Sequence, residues 1–199
     1  MKISQDKGNV NVLLGAFYAV CGSSVSFCID RYALRVDGVR LLFMSLWMGF
    51  VLAISFMEGW LKFRAPFVPR HLALDIGRHI FPALNAVEIA LCFCQWLLLV
   101  LYPDLEAAGL RCLMLLTLIL TLEVLIYTPR LVLRGKKIVL SEVRKNKTNL
   151  SPEHKELMDA LELELQGQHN IDSPKNHIIY VSMEHIKVIL GFIFIWNFL

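Results

Sequence analysis

The chain lacks the usual sequence signs of soluble enzyme chemistry. Its 5 cysteines form no C-x-x-C pair and no zinc-ligand spacing. There is no glycine-rich phosphate loop, no nucleophile-plus-base constellation and no two-histidine-plus-carboxylate set. These absences exclude a structural zinc module, a phosphate cradle and a hydrolytic triad. The expectation is a non-enzymatic protein with no cofactor. Internal repeats and low-complexity tracts are missing too, so neither a solenoid nor a disordered tail is implied. Charge is also scarce. Only 19% of residues are Asp, Glu, Lys or Arg, against about 25% in soluble domains.

The cysteines themselves read as apolar filler. Cys92 and Cys94, two apart in a helix, point about 200° away from each other. Cys21 and Cys28 could share a face, but helical rise separates them by about 10 Å, too far for a disulfide.

What the sequence has in quantity is hydrocarbon. Of its 199 residues 56% are hydrophobic, and the mean hydropathy is +0.56. A spanning helix needs about 20 mostly apolar residues. Residues 41–61, 81–102, 110–128 and 178–199 qualify. The chain therefore reads as an all-α integral membrane four-helix bundle. Residues 1–37 form an N-terminal extension, and residues 38–199 a membrane domain with a polar loop and amphipathic helix at 130–177. Residues 10–29 are weaker, diluted by Asn11, Gly15 and several serines. They read either as a fifth spanning helix or as a cleaved signal segment.

An up-down path puts Lys62, Arg64, Arg70, Arg78, Arg134 and most other basic residues on one side. The connection on the opposite side, "YPDLEAAGLR", holds only Arg111. The positive-inside rule then makes the basic side, with its long loop, cytoplasmic. Topology explains this charge, so no nucleic-acid partner is expected. The bilayer is the first partner.

Prolines set the expected breaks. Pro66 and Pro69 end the first helix, Pro103 the second and Pro129 the third. Pro82 falls in the first turn of the second span, and "HLALDIGRHI" before it reads as a separate short helix. In the long loop, Ser151 caps a helix over residues 151–167, with Pro152 in its first turn and Gly167 as its stop. Leu157, Leu161 and Leu165 give it one apolar stripe. It either lies on the bundle or docks a protein partner. Asn146 and Asn149 match the glycosylation pattern but would stay unmodified on a cytoplasmic side.

The informative residues are the charges inside the apolar segments. At 100° per residue, His177, Tyr180, Glu184, Lys187 and Gly191 share one face of the last helix. Arg78, Asn85, Glu88 and Cys92 do so on the second helix. Glu123, Tyr127 and Arg130 line up on the third, and Trp47, Ile54 and Glu58 on the first. A rise of 1.5 Å per residue puts Asn85, Glu88, Glu123, Glu184 and Lys187 about 7 to 13 Å in from the basic side. The other halves of the helices look almost purely apolar. Since a charge facing lipid costs about 2.5–3.5 kcal/mol, the stripes should face one another in a shared polar chamber open to the basic side. Its candidate residues are Glu58, Arg78, Asn85, Glu88, Glu123, Arg130, His177, Tyr180, Glu184 and Lys187.

Two readings of that chamber stay open. It is a self-satisfied ion-pair network, with Lys187 on Glu184 or Glu88 and with Arg78 and Arg130 holding Glu58 and Glu123. Or it is a small-ion or proton site, because three deep carboxylates outnumber one lysine. A metal- or haem-handling protein is a further alternative. Met44 and Met48 share a face and could hold Cu(I), although His177 is the one inward histidine for an axial haem ligand. A scaffold subunit of a membrane complex, using the 151–167 helix, is the last.

The stretches "LWMGFVLAISFMEGWLKFRAP", "GRHIFPALNAVE", "YTPRL" and "HIIYVSMEHIK" resemble the transmembrane-protein-205-like family. Its members are small four-helix membrane proteins grouped under a domain of unknown function. Trp47, Gly49, Gly77, Arg78, Phe81, Asn85, Glu88, Pro129 and the last-helix stripe carry the likeness, over about residues 38–199. The loop at 131–176 looks longer than in bacterial members. The resemblance implies an integral membrane protein and supplies no catalytic residue. The chain is more distantly similar to small copper-resistance membrane proteins.

Overall fold

The computed structural model describes residues 35–145, 152–166 and 175–198. The 10–29 segment, Cys21, Cys28, Asn146, Asn149, Ser151 and Gly167 lie outside them. Among the described residues there are five helices and no strand. α1 runs Val36–Arg64, α2 Arg70–Leu101 and α3 Ala107–Lys145. α4 runs Pro152–Leu165 and α5 Lys175–Trp196. α1, α2, α3 and α5 are each long and apolar enough to cross a bilayer. They pack as a four-helix bundle, and α4 lies along the end of α3.

The bundle buries charged side chains within a largely apolar core and turns hydrocarbon outward. Glu88, Glu123, Glu184 and Lys187 are buried, while Leu46, Phe93, Leu118, Ile189 and Phe192 are exposed. Water would not tolerate so much outward hydrocarbon, and lipid would not tolerate those charges outside. The chain is a multi-pass membrane protein. In lipid, helices associate by packing and polar contacts rather than by hydrophobic exclusion. Packing is close where α1 meets α5: a Cβ on Gly191 would overlap the Met48 side chain. Met44 and Met48 belong to this core, so packing accounts for the pair considered as Cu(I) ligands.

The helix ends differ from those expected. α1 does stop before Pro66, with Ala65 extended (φ −67°, ψ 117°) as a residue preceding proline must be. "HLALDIGRHI" is not a separate helix. It is the start of α2, so Pro82 lies well inside that helix rather than in a first turn. The larger correction is Pro129. It does not end the third helix, which continues to Lys145. Glu123–Tyr127 just before it is a π-helical segment, and the Thr128 N–H donates to the Glu123 carbonyl five residues back. The wider turn lets the helix continue through a residue with no N–H and a bulky ring. α1 has a second π segment, Leu52–Glu58, in which the Gly59 N–H donates to the Ile54 carbonyl.

At 1.5 Å per residue, α2 and α3 are about 48 and 58 Å long, well beyond a hydrocarbon core of about 30 Å. Their surplus lies at the basic end, where the first turns of α2 pack along Thr128–Lys145. Gly135 of α3 faces Arg78 of α2 there, and a Cβ on it would be in van der Waals contact with the Arg78 Cβ at 3.4 Å. Lys136 pairs with Glu164 of α4 at 2.6 Å, and Arg144 pairs with Glu162.

Candidate functional site

Three helices deliver one carboxylate each to the same point. Glu88 comes from α2, Glu123 from the π segment of α3, and Glu184 from α5. Lys187, one turn beyond Glu184, fills the space among them. Its Nζ donates to Glu88 Oε1 and Glu123 Oε2, both at 2.6 Å. It lies 3.2 Å from Glu184 Oε2, at ion-pair distance but outside hydrogen-bond geometry. All four side chains are at most 2% exposed. Trp47 of α1 closes the fourth side, its Nε1 donating to Glu88 Oε1 at 2.8 Å.

The cluster is short of donors. Glu88 Oε2, Glu123 Oε1 and both oxygens of Glu184 accept no hydrogen bond from a side chain. One oxygen from each carboxylate lies within 4.8 Å of the others. If all are ionised, three negative charges face one positive charge. That surplus has no neutralising side chain inside the cluster, and buried uncompensated charge is expensive. Tyr180, 1% exposed, places its hydroxyl beside the Glu184 carboxyl and interacts with it. Asn85 sits one turn from Glu88 and donates to Thr128 Oγ1 at 2.7 Å, tying α2 to α3.

The other candidates lie elsewhere. Glu58 accepts from Lys62 at 3.1 Å, and Arg78 pairs with Asp75 at 2.6 Å. Neither forms the Arg78–Glu58 contact that the ion-pair reading assumed. Arg130 is exposed and does not reach Glu123, whose partner is Lys187. His177 is exposed in the first turn of α5, a poor position for an axial haem ligand. The π segments explain two of these misplacements. Each adds a residue to a turn and rotates everything after it by about 100°. Glu58 thereby leaves the Trp47 stripe, and Arg130 leaves the Glu123 stripe.

A cavity of about 580 Å³ runs from the basic end down to this cluster. Its inner end is formed by Tyr180 and Glu184, and Lys62, Arg70, Arg78, Arg134 and His177 also line it. Glu184 is therefore the member of the cluster that meets the cavity.

The opposite half of the bundle is less apolar than the sequence suggested. Arg40 is 2% exposed there. It donates to the Tyr102 carbonyl and, at 3.3 Å, to the Asp104 carbonyl, which caps the end of α2. Gln95 Nε2 in turn donates to the Arg40 carbonyl at 2.8 Å. The available signal was Arg40 four residues before Met44 on the buried face of α1. Comparison with protein-family models, curated proteins and solved structures finds no match for the chain.

Proposed function

We propose that this multi-pass membrane protein carries a proton-exchanging carboxylate–lysine site in its core, reached from the basic end of the bundle. The observation that carries the reading is the donor shortage around Lys187: three buried carboxylates with four unsatisfied oxygens. Protons are the simplest way to supply both the missing donors and the missing charge. A metal ion fits less well. The carboxylate oxygens cluster closely enough to hold one, but Lys187 Nζ already occupies their centre. Two unit charges 4 Å apart repel by about 4 kcal/mol at an effective dielectric constant of 20. The Tyr180 and Glu184 lining of the cavity gives protons a route from the basic side, and the Arg40 cluster closes the other side. The same proposal takes the basic side as cytoplasmic, the protein as non-enzymatic, and residues 38–199 as a relative of transmembrane-protein-205-like proteins.

A purely structural network is the competing reading, favoured by the contacts of Lys187 with α2 and α3. Purified Glu184→Gln, Lys187→Met and the double variant separate the two. Each is compared with wild type in detergent for thermal stability and for protons taken up when the pH is stepped down. Proton exchange predicts a Glu184→Gln variant about as stable as wild type that takes up fewer protons, because Lys187 keeps its hydrogen bonds to Glu88 and Glu123. A Glu184→Gln variant that is strongly destabilised, with unchanged proton uptake, supports the structural network instead.

A further inference from the structure

We propose that the hairpin tip between α1 and α2 is an anchor for anionic phospholipid, with Phe67 in the bilayer interface and Arg64 and Arg70 on the phosphates. Residues 59–74 hold three Lys or Arg side chains and no Asp or Glu. Lys62 is taken by Glu58 from the preceding turn. Arg64 and Arg70 are exposed, and neither has a carboxylate partner among the described residues. The Arg64 guanidinium lies over the Trp60 ring, 4.7 Å from its centroid. Stacking fixes the plane of the fork and leaves its N–H edge to meet a phosphate. Between the arginines, Ala65–Val68 is a turn closed by the Val68 N–H donating to the Ala65 carbonyl at 3.1 Å. Pro66 presets that turn, and Phe67 at its apex is 95% exposed. Turn apices are ordinarily polar, and a phenyl ring held outward is costly to leave in water.

Depth separates lipid from other occupants. Arg40 of α1 lies level with the far end of α2, which it caps. Counted from Arg40, Trp60 is about 30 Å along α1, the thickness of a hydrocarbon core. Arg64 is about 6 Å further, at headgroup depth. Tryptophan at the boundary with arginine just beyond it suits a membrane–water interface. The apolar surface is also continuous with the lipid-facing side of the bundle. Met57 and Leu61 lead on to Trp60, Phe63 and Phe67, and all five are exposed. A soluble acidic partner would answer the arginines but not this continuity with lipid. A second copy of the chain, docked through the same patch, would set cation against cation. Anionic phospholipid meets both the charge and the hydrocarbon. This inference rests on the bilayer and does not depend on proton exchange at Lys187.

The test uses the full chain reconstituted in phosphatidylcholine vesicles, with Phe67→Trp as the reporter. The wild-type signal is subtracted to remove the other tryptophans. Phe67 is outside the core, so the reporter does not disturb the fold. Its emission should be blue-shifted and quenched by phospholipid brominated on the acyl chains. Brominated phosphatidylglycerol should be preferred over brominated phosphatidylcholine by about tenfold or more. Arg64→Gln with Arg70→Gln, in the reporter chain, should cut that preference to about twofold or less and keep the blue shift. Arg111→Gln, at the opposite end of the bundle, should leave the preference unchanged. Emission at the wavelength of water-exposed tryptophan, quenched by neither lipid, would overturn the proposal and turn the search to a protein partner. So would equal quenching by the two lipids, a double arginine variant with the full preference, or an equal loss in Arg111→Gln.

Discussion

Among the described residues two cations are buried, Arg40 and Lys187, one in each half of the bundle, and their surroundings are opposite in kind. Arg40 has neutral backbone acceptors, the carbonyls of Tyr102 and Asp104, and one flexible carboxylate, Asp37, at 3.3 Å. Asp37 is mostly exposed. Lys187 has three carboxylates, all buried. Around Arg40 the donors exceed the charged acceptors, and the chain end that needs capping is capped. Around Lys187 acceptors exceed donors, and four carboxylate oxygens stay unsatisfied. The buried part of the first arrangement is a lock that cannot titrate, because a guanidinium stays charged and the Tyr102 and Asp104 carbonyls carry no proton. The second is built of ionisable groups, and in the proposed function it changes its charge by gaining or losing protons. Burial of polar groups alone therefore does not separate structure from function in a membrane core. In the proposed reading, the ratio of donors to ionisable acceptors does.

The comparison can be broken by exchanging the roles of the two cations. Lys187→Met should have the largest effect. It leaves three buried carboxylates with no counter-charge, and losing one partner of a buried pair costs about 3–5 kcal/mol. Denaturant unfolding in mixed micelles measures it. Arg40→Met should cost less, about 1–3 kcal/mol, since it strands two carbonyls rather than charges. Its loss of stability should be the same at every pH, whereas that of Lys187→Met should shrink as the medium becomes acidic and the carboxyls protonate. Gly191→Ala sharpens the role of packing. Its Cβ would overlap the Met48 side chain, and overpacking costs about 1–3 kcal/mol; a flexible methionine keeps the expected value near the lower end. Glu184→Gln should have the smallest effect on stability, less than about 1 kcal/mol, because its contact with Lys187 is the longest of the three. It should nonetheless lower the number of protons exchanged.

The limits of reading this fold from sequence follow from the same helices. Composition and run length suffice for a membrane bundle, because lipid demands long apolar segments whatever the protein does. On α5, which has no π segment, helical spacing alone places Tyr180, Glu184, Lys187 and Gly191 on one buried face. On α2 it does the same for Asn85 and Glu88. The wheel fails for Glu58 and Arg130, since both come at or after a π turn. A single sequence gives little warning of such turns, although Pro129 behind Glu123 is a local hint. Pairing was illegible for another reason. A wheel gives the direction of a side chain, not which of three neighbouring helices it meets. The Arg78–Asp75 and Lys62–Glu58 pairs are local, and local partners cost less entropy than the distant ones first assumed.

The most direct test of the central claim is infrared spectroscopy of the reconstituted protein during a pH titration. Protonated carboxyl groups have their own C=O stretching band. If the Lys187 site exchanges protons, that band should grow as the pH falls, and Glu184→Gln and Glu88→Gln should each remove part of the change. A band that does not respond to pH, or responds identically in both variants and in wild type, would contradict the account and leave Lys187 as a fixed structural tie.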